Sequence, residues 1–232
     1  MQRCTPRKLV RRPDTVRRVH ATRAAFRAWR SYRGTGLLVE LFLAARLLVL
    51  PRKALAKEFR RLHGEVLGVG SGHGLLARWL AELNPDVRVT GIDIDEERVS
   101  IARETEARSP RVRILVEDVR SLDPATTYDA AAAIDLMHHI PHEDHAQVAD
   151  ALARAVRSGG ELLIKDVAPT PRWKHGVNRI HDRVVAGERT EACDPAQLAE
   201  LFTRAGFETE AIYRTGRLNP YPHFILRARR QP

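Results

Sequence analysis

The sequence predicts an α/β fold, a mostly parallel sheet covered by helices on both faces. Three observations carry this. Short apolar runs of strand type alternate with stretches at helical spacing, the pattern of a parallel sheet built by crossovers. The first strand run, Glu65 to Val69, enters a turn of Gly70, Gly72 and Gly74, after which Leu75, Leu76, Trp79 and Leu80 mark one helix face. The next strand run ends with Asp93 at its carboxyl end, where open sheets of this kind place their ligands. At 232 residues the chain is long enough for one such domain with a full core.

In chain order, residues 1–33 read as a basic arm, with 11 Lys or Arg against one acid, Asp14. From Thr15 to Arg33 the arm suits a helix, with Val16, Val19, Phe26 and Trp29 near one side and arginines around the rest. Residues 34–63 follow as an apolar helical lid whose stretch Leu37 to Leu50 closes at Pro51. Those 14 residues reach only about 21 Å at about 1.5 Å per residue, short of a hydrocarbon layer of about 30 Å. Glu40 and Arg46 also interrupt them, so no membrane span is expected. Residues 64–232 hold the remaining elements. Val112–Val116 and Tyr128–Ile134 are strands, Val148, Leu152 and Val156 stripe a helix, and Leu162–Asp166 is a further strand. A cap segment, about 167–194, carries Trp173, Val177, Ile180 and Val184 at helical spacing before the strands Phe207 to about Tyr213 and Phe224–Ala228.

The glycine turn suits a nucleoside cofactor, because glycine tolerates positive φ and lets a ligand lie against the backbone beside the unpaired N–H groups of a starting helix. Two cofactor classes compete for it. Gly72-His73-Gly74-Leu75-Leu76-Ala77 fits the weaker form of the dinucleotide motif, with Asp93 about 20 residues on, and a lone match of that kind is weak. The other register, Gly70-Ser71-Gly72-His73-Gly74, resembles the first motif of the class I S-adenosylmethionine-dependent methyltransferases, and this likeness continues down the chain. Glu117-Asp118-Val119 follows the third strand, Asp135-Leu136-Met137-His138-His139-Ile140-Pro141 follows the fourth, and Ser158-Gly159-Gly160 precedes the fifth, each similar to the family's pattern. The resemblance covers roughly residues 64–230, which favours this family over a nicotinamide dehydrogenase.

It implies a Rossmann-like, seven-stranded methyltransferase sheet with a C-terminal antiparallel hairpin, and S-adenosylmethionine as cofactor. Gly70, Ser71 and Gly72 are the turn residues, Asp93 the ribose acceptor, Asp118 the acid beside adenine, and Ile94 and Val119 complete the set. One departure stands out. The family usually has Asp or Glu two residues before the first turn glycine, where this chain has Gly68; Asp135 is the candidate substitute for holding the methionine ammonium.

The sulfonium already makes the methyl electrophilic, so the protein must mainly align a nucleophile and, for a hydroxyl acceptor, remove a proton. His139 at the mouth of the fourth strand is the first candidate base or orienter. Asp166, ending the fifth strand, and His181, followed by Asp182 in the cap, complete the catalytic set; packing alone would equally account for them. His138, His139, His142 and His145 invite a metal, but no Cys or carboxylate set accompanies them, so none is expected. Cys4 and Cys193 lie far apart, which argues against a disulfide framework and for a reducing cytoplasm.

Of the 39 basic and 29 acidic residues, 28 and 28 lie beyond residue 33, so the whole excess of +10 sits in the arm. A neutral catalytic domain argues against a broad nucleic-acid face. The expected function is methyl transfer to a hydrophobic small-molecule or lipid-like acceptor, at oxygen, with residues 1–33 resting on an anionic membrane surface at its inner face. The arm is expected to be removable without loss of cofactor affinity. An RNA methyltransferase gripping phosphates with the arm, and a non-catalytic binding protein that keeps the cofactor fold, are the other readings.

Overall fold

The structure, a computed structural model, describes residues 14–123, 125–169, 192–215 and 222–232, with side chains from residue 20 onward. Its strands are β1 (Gly64–Val69), β2 (Val87–Asp93), β3 (Val112–Val116), β4 (Tyr128–Ile134), β5 (Val156–Val167), β6 (Phe207–Arg214) and β7 (His223–Arg230). They form one seven-stranded sheet in the order β3-β2-β1-β4-β5-β7-β6. β1 to β5 are parallel to their neighbours, and β7 runs antiparallel to both β5 and β6. This is the sheet expected from the sequence. Strand order reverses between β1 and β4, so the carboxyl ends of those strands open a crevice there.

The helices are α1 (Asp14–Arg30), α2 (Leu37–Val49), α3 (Arg52–Phe59), α4 (Leu75–Leu83), α5 (Glu96–Glu104), α6 (His145–Ala155) and α7 (Pro195–Arg204). Two cores follow from strand alternation. Val66, Val89, Ala130, Ala132 and Leu163 face α1 to α5, while Leu67, Val69, Ala131, Ala133 and Ile164 face α6 and α7. Ends of helices are set locally. Pro51 stops α2 after an extended Leu50, and the side chains of Asp95 and Asp194 cap α5 and α7 through Arg98 N–H and the N–H groups of Ala196 and Gln197.

Residues 20–33, within the helix expected of the basic arm, pack against the sheet domain. Ala24, Ala25, Ala28 and Tyr32 are buried in the core that α4 shares, and Trp79 Nε1 donates to the Ala21 carbonyl at 3.2 Å. Three small alanines on one side of α1 let it approach α4 closely, a pattern hidden behind the arginines when the sequence is read for charge alone. Trp29, expected on an exposed apolar stripe, is half-buried and donates from Nε1 to the Glu40 carbonyl at 2.9 Å, tying α1 to α2. Residues 34–63, expected as an apolar helical lid, hold two helices, α2 and α3. α2 buries Leu43 and Leu47 but exposes Leu37 (71%), Leu38 (83%), Leu41 (58%) and Leu48 (71%). No helix among the described residues is long and apolar enough to cross a membrane.

Candidate active site

The glycine turn adopts the conformation its residues permit: Gly70, Gly72 and Gly74 have φ of 64°, 50° and 78°. At Gly70 a Cβ would lie 2.6 Å from Leu136 Cδ1, so a side chain there would have to displace Leu136 as well as strain the backbone. Ser71 N–H donates to the Ile92 carbonyl at 3.0 Å, and Gly72 N–H donates to Asp93 Oδ2 at 2.6 Å. The two motifs read separately in the sequence are thus one hydrogen-bonded unit. Asp93 Oδ1 also accepts from Asp95 N–H at 3.0 Å. A carboxylate oxygen has a further lone pair, which keeps Asp93 able to accept ribose hydroxyls.

Ile94 is 74% exposed next to it, an apolar surface on which an adenine ring can lie. Asp118, half-buried, is already engaged: both its oxygens accept from the Arg120 side chain, at 2.6 Å for the shortest contact, and this pairing holds its carboxyl below the usual carboxylate range. An adenine amino group at that end must share the carboxylate with Arg120. Val119 is a core residue, so it can offer only backbone to a cofactor.

At the carboxyl ends of β4 and β5 a polar cluster is buried. Asp135 is the one described non-glycine residue with positive φ (56°), a strained conformation of the kind that concentrates at functional sites. Its carboxylate forms an ion pair with the fully buried Lys165 ammonium, and its N–H donates to the Lys165 carbonyl at 2.8 Å. Burial pushes the Asp135 carboxyl up, but Lys165, Arg46, His223 and His138 outweigh it and hold it below the usual range. Burial presses the Lys165 ammonium down against the opposing pull of Asp135.

Asp166, also fully buried, contacts His138 rather than His139. His138 Nδ1 lies 2.5 Å from Asp166 Oδ1, and Asp166 Oδ1 accepts from Val167 N–H at 2.7 Å. His139 is exposed, with its ring 4.1 Å from that of His138. The histidine beside Asp166 is therefore the neighbour of the one singled out in the sequence, since the turn after β4 puts His138 inward. His181 lies outside the described residues.

Sequence reasoning missed four neighbours. Arg46 of α2 lines a cleft with Gly68, Gly70, Ser71, Leu76 and Ala132. Lys165 and His138 pair with residues about 30 positions away, which only the β4–β5 register brings together. Tyr32, at 0% exposure, donates from its hydroxyl to the His73 carbonyl within the glycine turn and accepts from Arg78 Nε at 2.9 Å. A buried Tyr next to an Arg-rich run carries no sequence signal for such a contact.

These residues fit S-adenosylmethionine. A glycine cradle abuts the start of α4, the Asp93 carboxylate has lone pairs beyond those its two N–H donors use, Ile94 offers an exposed apolar surface, and the Arg46 side chain lines the cleft beside the cradle. The fold and site together define a nucleoside-cofactor-binding α/β enzyme. Comparison with known proteins narrows the class. Residues 66–160 match the methyltransferase domain family. The chain is 30% identical to a phosphatidylethanolamine N-methyltransferase of Cereibacter sphaeroides over 180 residues, 68% of this chain and 86% of that one. It is 26% identical over 157 residues to a ubiquinone biosynthesis O-methyltransferase of Pseudoalteromonas translucida, 63% of this chain. The match spans just under two thirds, 64%, of that relative's length. In fold it resembles magnesium protoporphyrin IX methyltransferase from Synechocystis, solved with bound SAH, at a TM-score of 0.63 and 22% identity over 94% of this chain and 99% of that one. The chain belongs to the class I S-adenosylmethionine-dependent methyltransferases.

Proposed function

We propose that this enzyme methylates a hydrophobic small-molecule or lipid-like acceptor at oxygen, with His138 as the base and Asp166 positioning it. The observation that carries the reading is the buried His138–Asp166 pair at the crevice beside an α2 whose outer face is apolar. A carboxylate on Nδ1 fixes that nitrogen as the proton-bearing one and leaves the basic lone pair on Nε2. The cofactor supplies the electrophilic methyl group. Arg46 suits its methionine carboxylate and Asp135 its ammonium, which answers the missing acid at Gly68. Asp93 takes the ribose hydroxyls, and His138 accepts the proton that an acceptor hydroxyl gives up.

Oxygen is favoured by an imidazole base, which a neutral amine acceptor does not need, and by the relative named for ubiquinone biosynthesis. The relative named for phosphatidylethanolamine supports a lipid-like acceptor. Leu37, Leu38, Leu41 and Leu48, with exposed Arg30, Arg33, Arg52 and Lys53 flanking α2 in sequence, suit contact with an anionic lipid surface.

The test is transfer of labelled methyl from S-adenosylmethionine to alkylated phenols of increasing chain length, to phosphatidylethanolamine vesicles and to RNA. O-methylated phenol, faster with longer chains and lost in His138→Gln at unchanged S-adenosylhomocysteine affinity, is the expected result. Label on ethanolamine nitrogen or RNA alone would replace the reading. Leu38→Glu with Leu41→Glu is expected to reduce sedimentation with anionic vesicles; equal sedimentation would remove the membrane contact.

A further inference from the structure

We propose that His142, His145 and Cys193 form a transition-metal site of the zinc type, outside the methyl-transfer centre. One ligand atom from each lies within 4.8 Å of the other two. They come from different elements: His142 opens the turn after Pro141, His145 begins α6, and Cys193 precedes the capping residue of α7. Sequence reasoning set a metal aside because the histidines had no cysteine in company. The fold supplies it across 48 residues of chain from His145, which no spacing motif encodes.

The donors are of the right kind. Two imidazoles and a thiolate select zinc or a similar borderline-soft ion over magnesium or calcium. His145 is oriented for the role: its Nε2 lies 2.9 Å from the Met137 carbonyl and 3.0 Å from the Ile140 carbonyl, groups that only accept. Nε2 therefore carries the proton and Nδ1 keeps the lone pair a metal requires, the outer support usual for a ligating histidine. His145 and Cys193 are buried, while His142 is exposed at the rim. Ligand atoms around zinc stand about 3.3 to 3.6 Å apart, so closing the set needs a movement of about 1 Å, within reach of rotation at His142. Solvent at that rim can fill the fourth position.

The site would also do something to the enzyme. Met137 and Ile140, whose carbonyls hold His145, bracket His138 and His139, and Cys193 N–H donates to the Val167 carbonyl one residue past Asp166. A metal here staples the chain entering α7 to the turn that carries the proposed base.

Untagged full-length protein, stripped with a chelator, should be titrated with Zn2+ against a chromophoric competitor and separately with Co2+. The expected result is one Zn2+ per chain with a dissociation constant below a micromolar. Co2+ should give a thiolate charge-transfer band in the near ultraviolet. Cys193→Ser should abolish the band, and both Cys193→Ser and His142→Ala should weaken Zn2+ at least tenfold. His142 is exposed, so His142→Ala keeps the test decisive if the cysteine variant does not fold. Absence of stoichiometric binding, a Co2+ spectrum without the thiolate band, or unchanged affinity in His142→Ala would overturn the proposal. None of these readouts uses methyl transfer, so they stand apart from the choice of acceptor.

Discussion

Gly68 pairs in register with Gly91 of β2, and the Ser71 hydroxyl sits in the space the two glycines leave. A Cβ on Gly68 would lie 2.8 Å from Ser71 Oγ and one on Gly91 2.6 Å from it, while Ser71 Oγ donates to the Gly68 carbonyl at 2.8 Å. An acidic side chain at this position would have to displace the Ser71 hydroxyl from its seat. Gly68→Ala is expected to cost about 1 kcal/mol of stability by displacing that hydrogen bond, and the cost should largely vanish in a Ser71→Ala background. Urea unfolding of the four proteins measures it; additive losses would show that the two residues do not compete for one space. His223 is a second case decided by surroundings. Burial, then Lys165, presses its imidazole from 6.5 down to about 4, with Asp135, Asp166 and the Val49 backbone facing it. Between those pH values the unfolded chain takes up a proton that the folded chain refuses. Stability should therefore fall as pH drops from about 6.5 to about 4, by up to about 3 kcal/mol, and this slope should flatten in His223→Gln. The shifted carboxyls Asp118, Asp135 and Glu210 are all lowered from ordinary values of 3.8, 3.8 and 4.5, so their own losses begin at the acid end of this window and continue below it, which is why the His223→Gln comparison, rather than the slope itself, isolates the imidazole.

Among the elements, β4 and β5 bring most of the polar chemistry together, through Asp135 with Lys165 and His138 with Asp166. Removing one partner of a buried ion pair strands the other charge, so Lys165→Met should lose about 3 to 5 kcal/mol. Adding Asp135→Asn, a residue that tolerates the left-handed backbone, should recover most of it. Denaturant midpoints of the single and double variants report the difference, and an equally unstable double variant would mean that Lys165 matters for packing instead. Strands of this kind are legible in sequence because their apolar runs are short and bounded, and β3 and β4 fall where the runs predict. The site at their ends was only partly legible. Asp93 and the glycine turn announce themselves by spacing, but Lys165 reads as one charge in an apolar strand until register sets it against Asp135. Likewise His138 and His139 are equivalent in the sequence, and only the turn after β4 sends one inward. α2 was legible as apolar, yet its division into a buried Leu43 and Leu47 and an exposed remainder depends on what lies beneath it.

For the whole molecule, α1 changes what the N-terminal segment means. Ala24, Ala28 and Tyr32 complete the core against α4, so deletion of residues 1–33 is expected to lower stability and cofactor affinity together, contrary to the separable arm read from charge. Tyr32→Phe isolates the contact with the turn. It removes the hydroxyl that donates to the His73 carbonyl and accepts from the buried Arg78, at an expected cost of about 1 to 3 kcal/mol. Calorimetry with S-adenosylhomocysteine and thermal unfolding of both variants check this; full affinity in the deletion would return α1 to an accessory role. The same hydroxyl carries a thermodynamic obligation in the other direction. If the first helix steadies the loop under the cofactor, occupancy of that loop must steady the helix by an equal coupling energy. Backbone amides of α1 should then exchange with deuterium more slowly in the liganded enzyme. Whatever grips or releases the N-terminus would shift the cofactor's affinity by that same coupling energy.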